Sequence, residues 1–438
     1  MKKTLLALAL TASFNCQAVD LLQAYESALS NDPAYRSASK ELEAGEANRT
    51  IGRAGLLPQI SANYANGNNS SRLSTASTGI YTQNYPSNNG TVQISQALIN
   101  LQAWAQAKQG SAQADQAKAK FVYNSQELLI RTLQAYTDVL NFQDQITYLT
   151  TQRNALREQL TQNERRLKAG DGTVTDVLET RSQLELAEVQ IIDTQSNLEN
   201  ARRRLESTTG LEIKNVSEVK RLSKKFRVEN LPSSFKDWQD LAVNNNAEIQ
   251  SARHAEEVAH QEYKKQLTAN APTLNAVASW NQQNSAYTST IGQQATTAAI
   301  GVQVTWTLTN GGQTLGLQRQ SYANWEKAQA DTDVVKNRVV NELQRQFDIV
   351  RSSKQKITTL ERAVEAAQTL TNAMRKSVQA GERSNVDVLL ADKTRANAEK
   401  DLAQAKYAYL VAGLKLKQLA GNLDSVDLQI VAENFDKN

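Results

Sequence analysis

Residues 167–178 read LKAGDGTVTDVL and residues 378–389 read VQAGERSNVDVL, one phrase written twice, 211 positions apart. The match spreads outward at nearly that spacing. Ala201, Leu205 and Gly210 recur as Ala412, Leu416 and Gly421. Val92, Gln93, Leu98, Asn100, Leu133 and Asp138 recur 210 positions on as Val302, Gln303, Leu308, Asn310, Leu343 and Asp348. Asn31, Ala38, Pro58 and Ala62 recur 214 positions on as Asn245, Ala252, Pro272 and Ala276. Residues 31–210 therefore return as 245–421, with the offset changing only where loops absorb insertions. A duplication of this length predicts two copies of one structural unit and a pseudo-symmetric fold.

The first 18 residues read as a secretory leader. Lys2 and Lys3 precede an apolar stretch, Leu5 to Phe14, which is too short to span a bilayer as a helix, and Ala18 suits cleavage before Val19-Asp20. Cys16, the only cysteine, leaves with the leader; Phe14-Asn15 makes a poor lipobox, so a lipoprotein reading is disfavoured. Without cysteine, the exported chain does not rely on disulfides. Lys and Arg number 49 against 45 Asp and Glu, and this near-balance argues against an electrostatic nucleic-acid partner. Five prolines in 438 residues suit long helices.

Each copy is expected to run helix, strand, loop, strand, long helix, helix. The opening helices are read over about 20–54 and 235–268. Each stops before a proline, Pro58 or Pro272, which cannot continue a helix and favours an extended residue before it. The period then changes to two. Ile60, Ala62 and Tyr64 alternate with Gln59, Ser61 and Asn63; Leu274, Ala276, Ala278 and Trp280 follow suit. Val92, Ile94 and Leu98, and Ile300, Val302, Val304, Trp306 and Leu308, mark the returning strands. Stretches 66–89 and 281–298, rich in Asn, Ser, Thr, Gly and Gln, read as exposed loops.

One apolar and one wet face over about ten residues fits a membrane β-barrel or a small sheet laid on helices. The leader and the lack of an apolar helical span favour the barrel. Residues 101–168 and 312–379 read as helices of ~100 Å at 1.5 Å per residue, with local breaks allowed at Gly110 and Gly316. In the helix that follows, Leu184, Ala187, Ile191, Thr194, Leu198, Ala201, Leu205 and Thr208 form a heptad seam, repeated by Leu402, Ala405, Tyr409, Ala412, Leu416 and Leu419. An ordinary coiled-coil rod shares that seam but not the strands.

These features together resemble the TolC family of outer-membrane exit ducts: the double helix–strand–strand–helix order, the Leu/Ala-Pro strand starts, Asn310-Gly311-Gly312 after the fourth strand, and Ala-Gly followed by Asp-Val-Leu in both halves. The resemblance, closest to the outer-membrane component of type I protease secretion systems, implies a mainly α fold with a small β part. Long helical hairpins of three chains would form a periplasmic α-barrel, continued by four strands per chain in a shared twelve-stranded membrane barrel. Residues 19–210 would be the first repeat, 211–234 an equatorial connector, 235–421 the second repeat and 422–438 an equatorial tail. Expected partners are a homotrimer, an inner-membrane ABC transporter, a periplasmic adaptor (membrane fusion) protein, outer-membrane lipid and an exported polypeptide or drug.

The resemblance also implies a gate at the hairpin ends. Asp387 matches an aspartate ring, and Arg383 an arginine that reaches the neighbouring hairpin at Thr175 and Asp176. Two positions depart from the family pattern. Leu390 stands where a second aspartate ring is expected, and Val378 where a tyrosine is. That leaves one acidic ring, with Leu390 taking over part of the seal by excluding water. Read from the residues alone, Asp176 and Asp387 serve equally as helix N-caps, and Arg383 as a solvated tip residue.

No enzyme is expected. His254 and His260, the only histidines, lie six apart and about 240° around a helix. Neither a zinc-protease pattern, a phosphate loop nor a nucleophile elbow occurs, so no catalytic residue, cofactor or metal is expected. Two further readings stay open: a multidrug-efflux duct, and a periplasmic coiled-coil adaptor or structural rod.

Overall fold

Both proline signals mark strand starts in the computed structural model, which describes residues 19–75, 79–215, 219–223, 226–229, 234–284 and 293–435; the expected leader lies outside them. In chain order the elements are α1 Leu21–Asn31, α2 Pro33–Arg53, a 3-10 turn Ala54–Leu56, β1 Gln59–Thr75, β2 Gly79–Ile99, α3 Leu101–Ala169, α4 Val174–Thr209, α5 Phe235–Asn245, α6 Ala247–Leu267, β3 Thr273–Asn284, β4 Gln294–Thr305, α7 Gln313–Gln379, α8 Asn385–Ala420 and α9 Ser425–Ala432. They form two compact units. One holds residues up to 38 with 122–246 and 338–438; the other holds 39–121 with 247–337.

Each opening helix is broken rather than continuous, which corrects the expectation of single helices over 20–54 and 235–268. Asp32 is extended (φ −64°, ψ 120°) because Pro33 follows it, and its carboxylate accepts the Tyr35 N–H at 2.7 Å. Asn246 takes the same conformation between α5 and α6, and its amide donates to the Leu419 carbonyl at 3.0 Å.

The second unit carries one antiparallel sheet in the order β1-β2-β3-β4. Its register brings the apolar residues to one face. Ile60 lies opposite Ile94, Ala62 opposite Val92, Val92 opposite Trp280, Ala276 opposite Val302 and Leu274 opposite Val304. Gln59, Ser61, Gln93, Ser279 and Gln303 share the other face. The apolar face is bare: Ile300 is 90% exposed and Val302 70%. The reading of a sheet laid on helices fails on this observation. The ladder also runs further than expected. Pairs continue from Asn66↔Asn88 to Thr75↔Gly79, so 66–75 and 79–88 are strand rather than loop. Residues 281–284 and 294–298 are strand too. Polar side chains do not prevent pairing when a registered partner satisfies the backbone. At the other end β4 stops at Thr305, short of Trp306 and Leu308. The Trp306 indole instead donates to the Asn270 carbonyl at 3.1 Å.

Gly110 does not break α3. A Cβ there would lie 2.3 Å from the Asn48 carbonyl oxygen and 3.1 Å from Gly52 Cα, so the glycine lets α2 and α3 touch. Gly316, likewise inside a continuous helix, faces open space.

The first unit is built on the predicted seams. Leu184, Ala187, Ile191, Thr194, Ala201, Leu205 and Thr208 are buried, as are Ala405, Tyr409, Ala412 and Leu416, while Leu198, Leu402 and Leu419 are half-buried. Tyr136 anchors its centre. Its hydroxyl donates to the carbonyls of Val19 and Lys220, each at 3.0 Å, and its ring meets Phe435 edge-on at 5.3 Å. Connector and tail therefore share this core, and the tail contains the helix α9. Lys417 joins them, contacting Glu229 at 2.8 Å and Asp427 at 2.9 Å. Burial pushes the Asp144 carboxyl up, partly offset by the Tyr407 hydroxyl that donates to it at 2.9 Å.

Candidate functional site

The hairpin ends that the sequence singles out have matching construction. At the α3 end, Gly170 takes φ 83°; its N–H reaches the Leu167 carbonyl and the Asp171 N–H that of Arg166. At the α7 end, Gly381 takes φ 78°, with bonds from Gly381 to Val378 and from Glu382 to Ser377. Both are the paired closing bonds that a left-handed residue permits after a helix.

The next helices start on Thr173 and Ser384. Neither Asp176 nor Asp387 is the N-cap itself, which corrects that reading. Each sits in the first turn, three residues after the cap. The Thr173 hydroxyl accepts the Asp176 N–H at 3.1 Å. In the second copy the capping is reciprocal. Asp387 accepts from the Ser384 N–H and hydroxyl, each at 2.9 Å, while its own N–H points back to Ser384 Oγ. The Ser384 N–H and then its hydroxyl hold the Asp387 carboxyl below the usual carboxylate range, with a weaker contribution from Arg383. The Ser-x-x-Asp and Thr-x-x-Asp spacings carried this signal in the sequence.

Thr175, Asp176, Arg383 and Leu390 are exposed, and Val378 is half-buried. Among the described residues no hydrogen bond or ion pair joins Arg383 to Thr175 or Asp176 within one chain. What the geometry does bring together, unread in the sequence, is a set of ties across each hairpin. Glu164 pairs with Arg181 at 2.8 Å and Asn163 donates to Thr180 at 2.9 Å. In the second hairpin Arg375 pairs with Asp392 at 3.2 Å. Positions 164 and 375, and 181 and 392, correspond at the repeat offset, so the second copy carries the same tie with its charges exchanged.

Comparison with known proteins extends these observations. The family model described as outer membrane efflux protein matches residues 24–211 and 238–422, once in each half. Alkaline protease secretion protein AprF of Pseudomonas aeruginosa is 37% identical over 422 residues, covering 95% of this chain and 88% of its own. Proteases secretion protein PrtF of Dickeya chrysanthemi is 33% identical over 447 residues, covering 99% and 95%. The crystal structure of the Campylobacter jejuni CmeC outer membrane channel has the same fold, with TM-score 0.76 at 15% identity over 95% of this chain and 90% of that one. A sheet with a bare apolar face and a doubled hairpin thus find their explanation together: the chain belongs to the outer membrane efflux protein family, the TolC family, and is an outer-membrane protein.

Proposed function

We propose that three copies of this chain form the exit duct of a type I secretion system that exports a protein such as a protease. The observation that carries the reading is the four-stranded sheet, apolar and bare on one face, polar on the other, with β1 and β4 as open edges. Backbone groups at such edges find no partner in lipid, so a spanning sheet must close. Three copies supply twelve strands and closure by rotation. Leu274, Ile300, Val302 and their neighbours then meet lipid, and Gln59, Gln93 and Gln303 line a wet lumen. The helices continue the duct toward a periplasmic adaptor and an inner-membrane ABC transporter, which supplies the energy. The chain itself acts as a passive conduit rather than an enzyme.

The protein cargo is supported by the two protease secretion proteins, identical at more than 30% along nearly the whole chain. The hairpin ends serve as the gate: Asp387 as an acidic ring, Leu390 as an apolar one, and Val378, Arg383, Thr175 and Asp176 in the contacts that hold hairpins closed between chains. A deletion strain tests the reading. Loss of a secreted protein with intact drug tolerance supports it. Intact secretion with lost drug tolerance would replace it with multidrug efflux, and a chain released by osmotic shock would point to a periplasmic rod.

A further inference from the structure

The helices next to the strands hold a feature that the duct does not use. A cavity of about 660 Å³ opens between α2, α3 and α6, with Arg53, Leu57, Trp104, Lys108, His254 and Glu257 among its walls. Its place in the chain is informative. Leu57 precedes Pro58 and the first strand, and Trp104 lies in the first turn of α3, just after β2. Leu57 is 56% exposed and Trp104 57%, so this wall carries bare apolar surface at the end of the helices next to the strands. An exposed tryptophan at such a border is the residue type that settles at a bilayer interface.

The charges in the wall are unequal in their freedom. Asp115 is held by Arg49, and Glu257 accepts from Gln261. The side chains of Arg53 and Lys108 form no hydrogen bond or ion pair with any described residue. The wall therefore offers two uncommitted cations above an apolar floor.

We propose that this cavity binds a phospholipid of the periplasmic leaflet, with its phosphodiester against Arg53 and Lys108 and an acyl chain along Leu57 and Trp104. Guanidinium and ammonium groups are the usual phosphate partners, the first by paired hydrogen bonds and the second as a point charge. The lipid would fasten each chain at the level where strand becomes helix. This inference rests on the strands being lipid-facing.

Native mass spectrometry of the trimer, released from nanodiscs of phosphatidylethanolamine and phosphatidylglycerol, tests it. The wild type should retain lipid adducts up to one per chain. Retention should fall about fivefold for each cation removed in Arg53→Ala and Lys108→Ala, and persist in Arg53→Lys. Added inorganic phosphate should leave the adducts unchanged, since a headgroup alone lacks the apolar floor. Adducts at wild-type levels in an assembled double variant would overturn the proposal. Should the double variant fail to assemble, acylation of Lys108 in the wild type decides: protection in nanodiscs that disappears on delipidation supports the lipid. Protection that survives delipidation would assign the cavity to a neighbouring copy, and no protection would leave it empty; either overturns the proposal. Failure of the lipid-facing reading itself would show separately, as absence of the chain from outer-membrane fractions.

Discussion

Val302→Arg and Gln303→Arg place one charge on adjacent residues of β4, on opposite faces of one sheet. Val302 stands near the middle of the apolar row from Ala298 to Val304, opposite Ala276. At 70% exposure in the single chain it has no protein cover, so lipid would surround it in the proposed trimeric barrel. An arginine near the midplane of the lipid face of such a barrel costs about 2–4 kcal/mol. Three symmetry-related copies multiply this to about 6–12 kcal/mol per trimer, enough to remove most of the marginal stability of a folded protein. Gln303 lies on the polar face, the lumen side of the proposed barrel, where an arginine would keep its hydration, and the same charge there should cost less than ~1 kcal/mol per chain. The assay is the fraction of heat-modifiable trimer in outer membranes, with the urea midpoint of the purified assembly as the equilibrium measure. Val302→Arg should lower both sharply, and Gln303→Arg neither. Equal losses from the two substitutions, or a larger loss from Gln303→Arg, would refute the assignment of faces.

Gly110→Ala should destabilise by about 1–3 kcal/mol, because the new Cβ meets the Asn48 carbonyl, whereas Gly316→Ala, in open space, should stabilise by about 0.5–1 kcal/mol; chemical denaturation of the two variants reads both signs. Tyr407→Phe leaves the half-buried Asp144 carboxyl without its donor and should cost about 1–2 kcal/mol, seen as a lower urea midpoint that falls further as pH rises and the carboxyl ionises. The Asp387 carboxyl is held below its unfolded value near about 3.9, so its contribution is present at neutral pH and disappears as acid protonates it. Acid titration of hydrogen exchange at the α8 start should accordingly show a midpoint below that value, and Asp387→Asn should abolish the step. Arg383→Ala combined with Thr175→Ala should raise single-channel conductance in planar bilayers; unchanged conductance would remove both from the gate.

Much of the fold was legible because it rests on local periodicity. The change from a helical period to a period of two at Pro58 and Pro272 announced the strands. The seam from Leu184 to Thr208 announced which face of α4 is buried, since knobs must recur at three and four to stay against a neighbour. Local pattern failed where a distant partner decided the outcome. The polar run 66–75 looked like a loop because nothing in it signals a strand; only registered pairing with 79–88 makes it one. The Asp32 break was written in Pro33, but the Asn246 break carries no proline, and its amide is fixed by the Leu419 carbonyl 173 residues away. At the hairpin ends, Gly170 and Gly381 could be read from spacing, whereas Asp176 and Asp387, read as N-caps, stand three residues after the true caps Thr173 and Ser384. The ties between Glu164 and Arg181 and between Arg375 and Asp392 could not, because surface charges on long helices have many available partners until packing selects one.

The residue order alone determined that this chain holds two copies of one unit, where the long helices stop at Gly170 and Gly381, and which strand residues share a face, because these follow from proline sterics, glycine dihedrals and side-chain periodicity. Only the tertiary structure decided that the apolar strand face lies bare, that connector and tail enter one core around Tyr136, and that Gly110 is a contact rather than a break. Those outcomes depend on which distant surfaces meet, and the free energy of such meetings is not encoded in any local stretch.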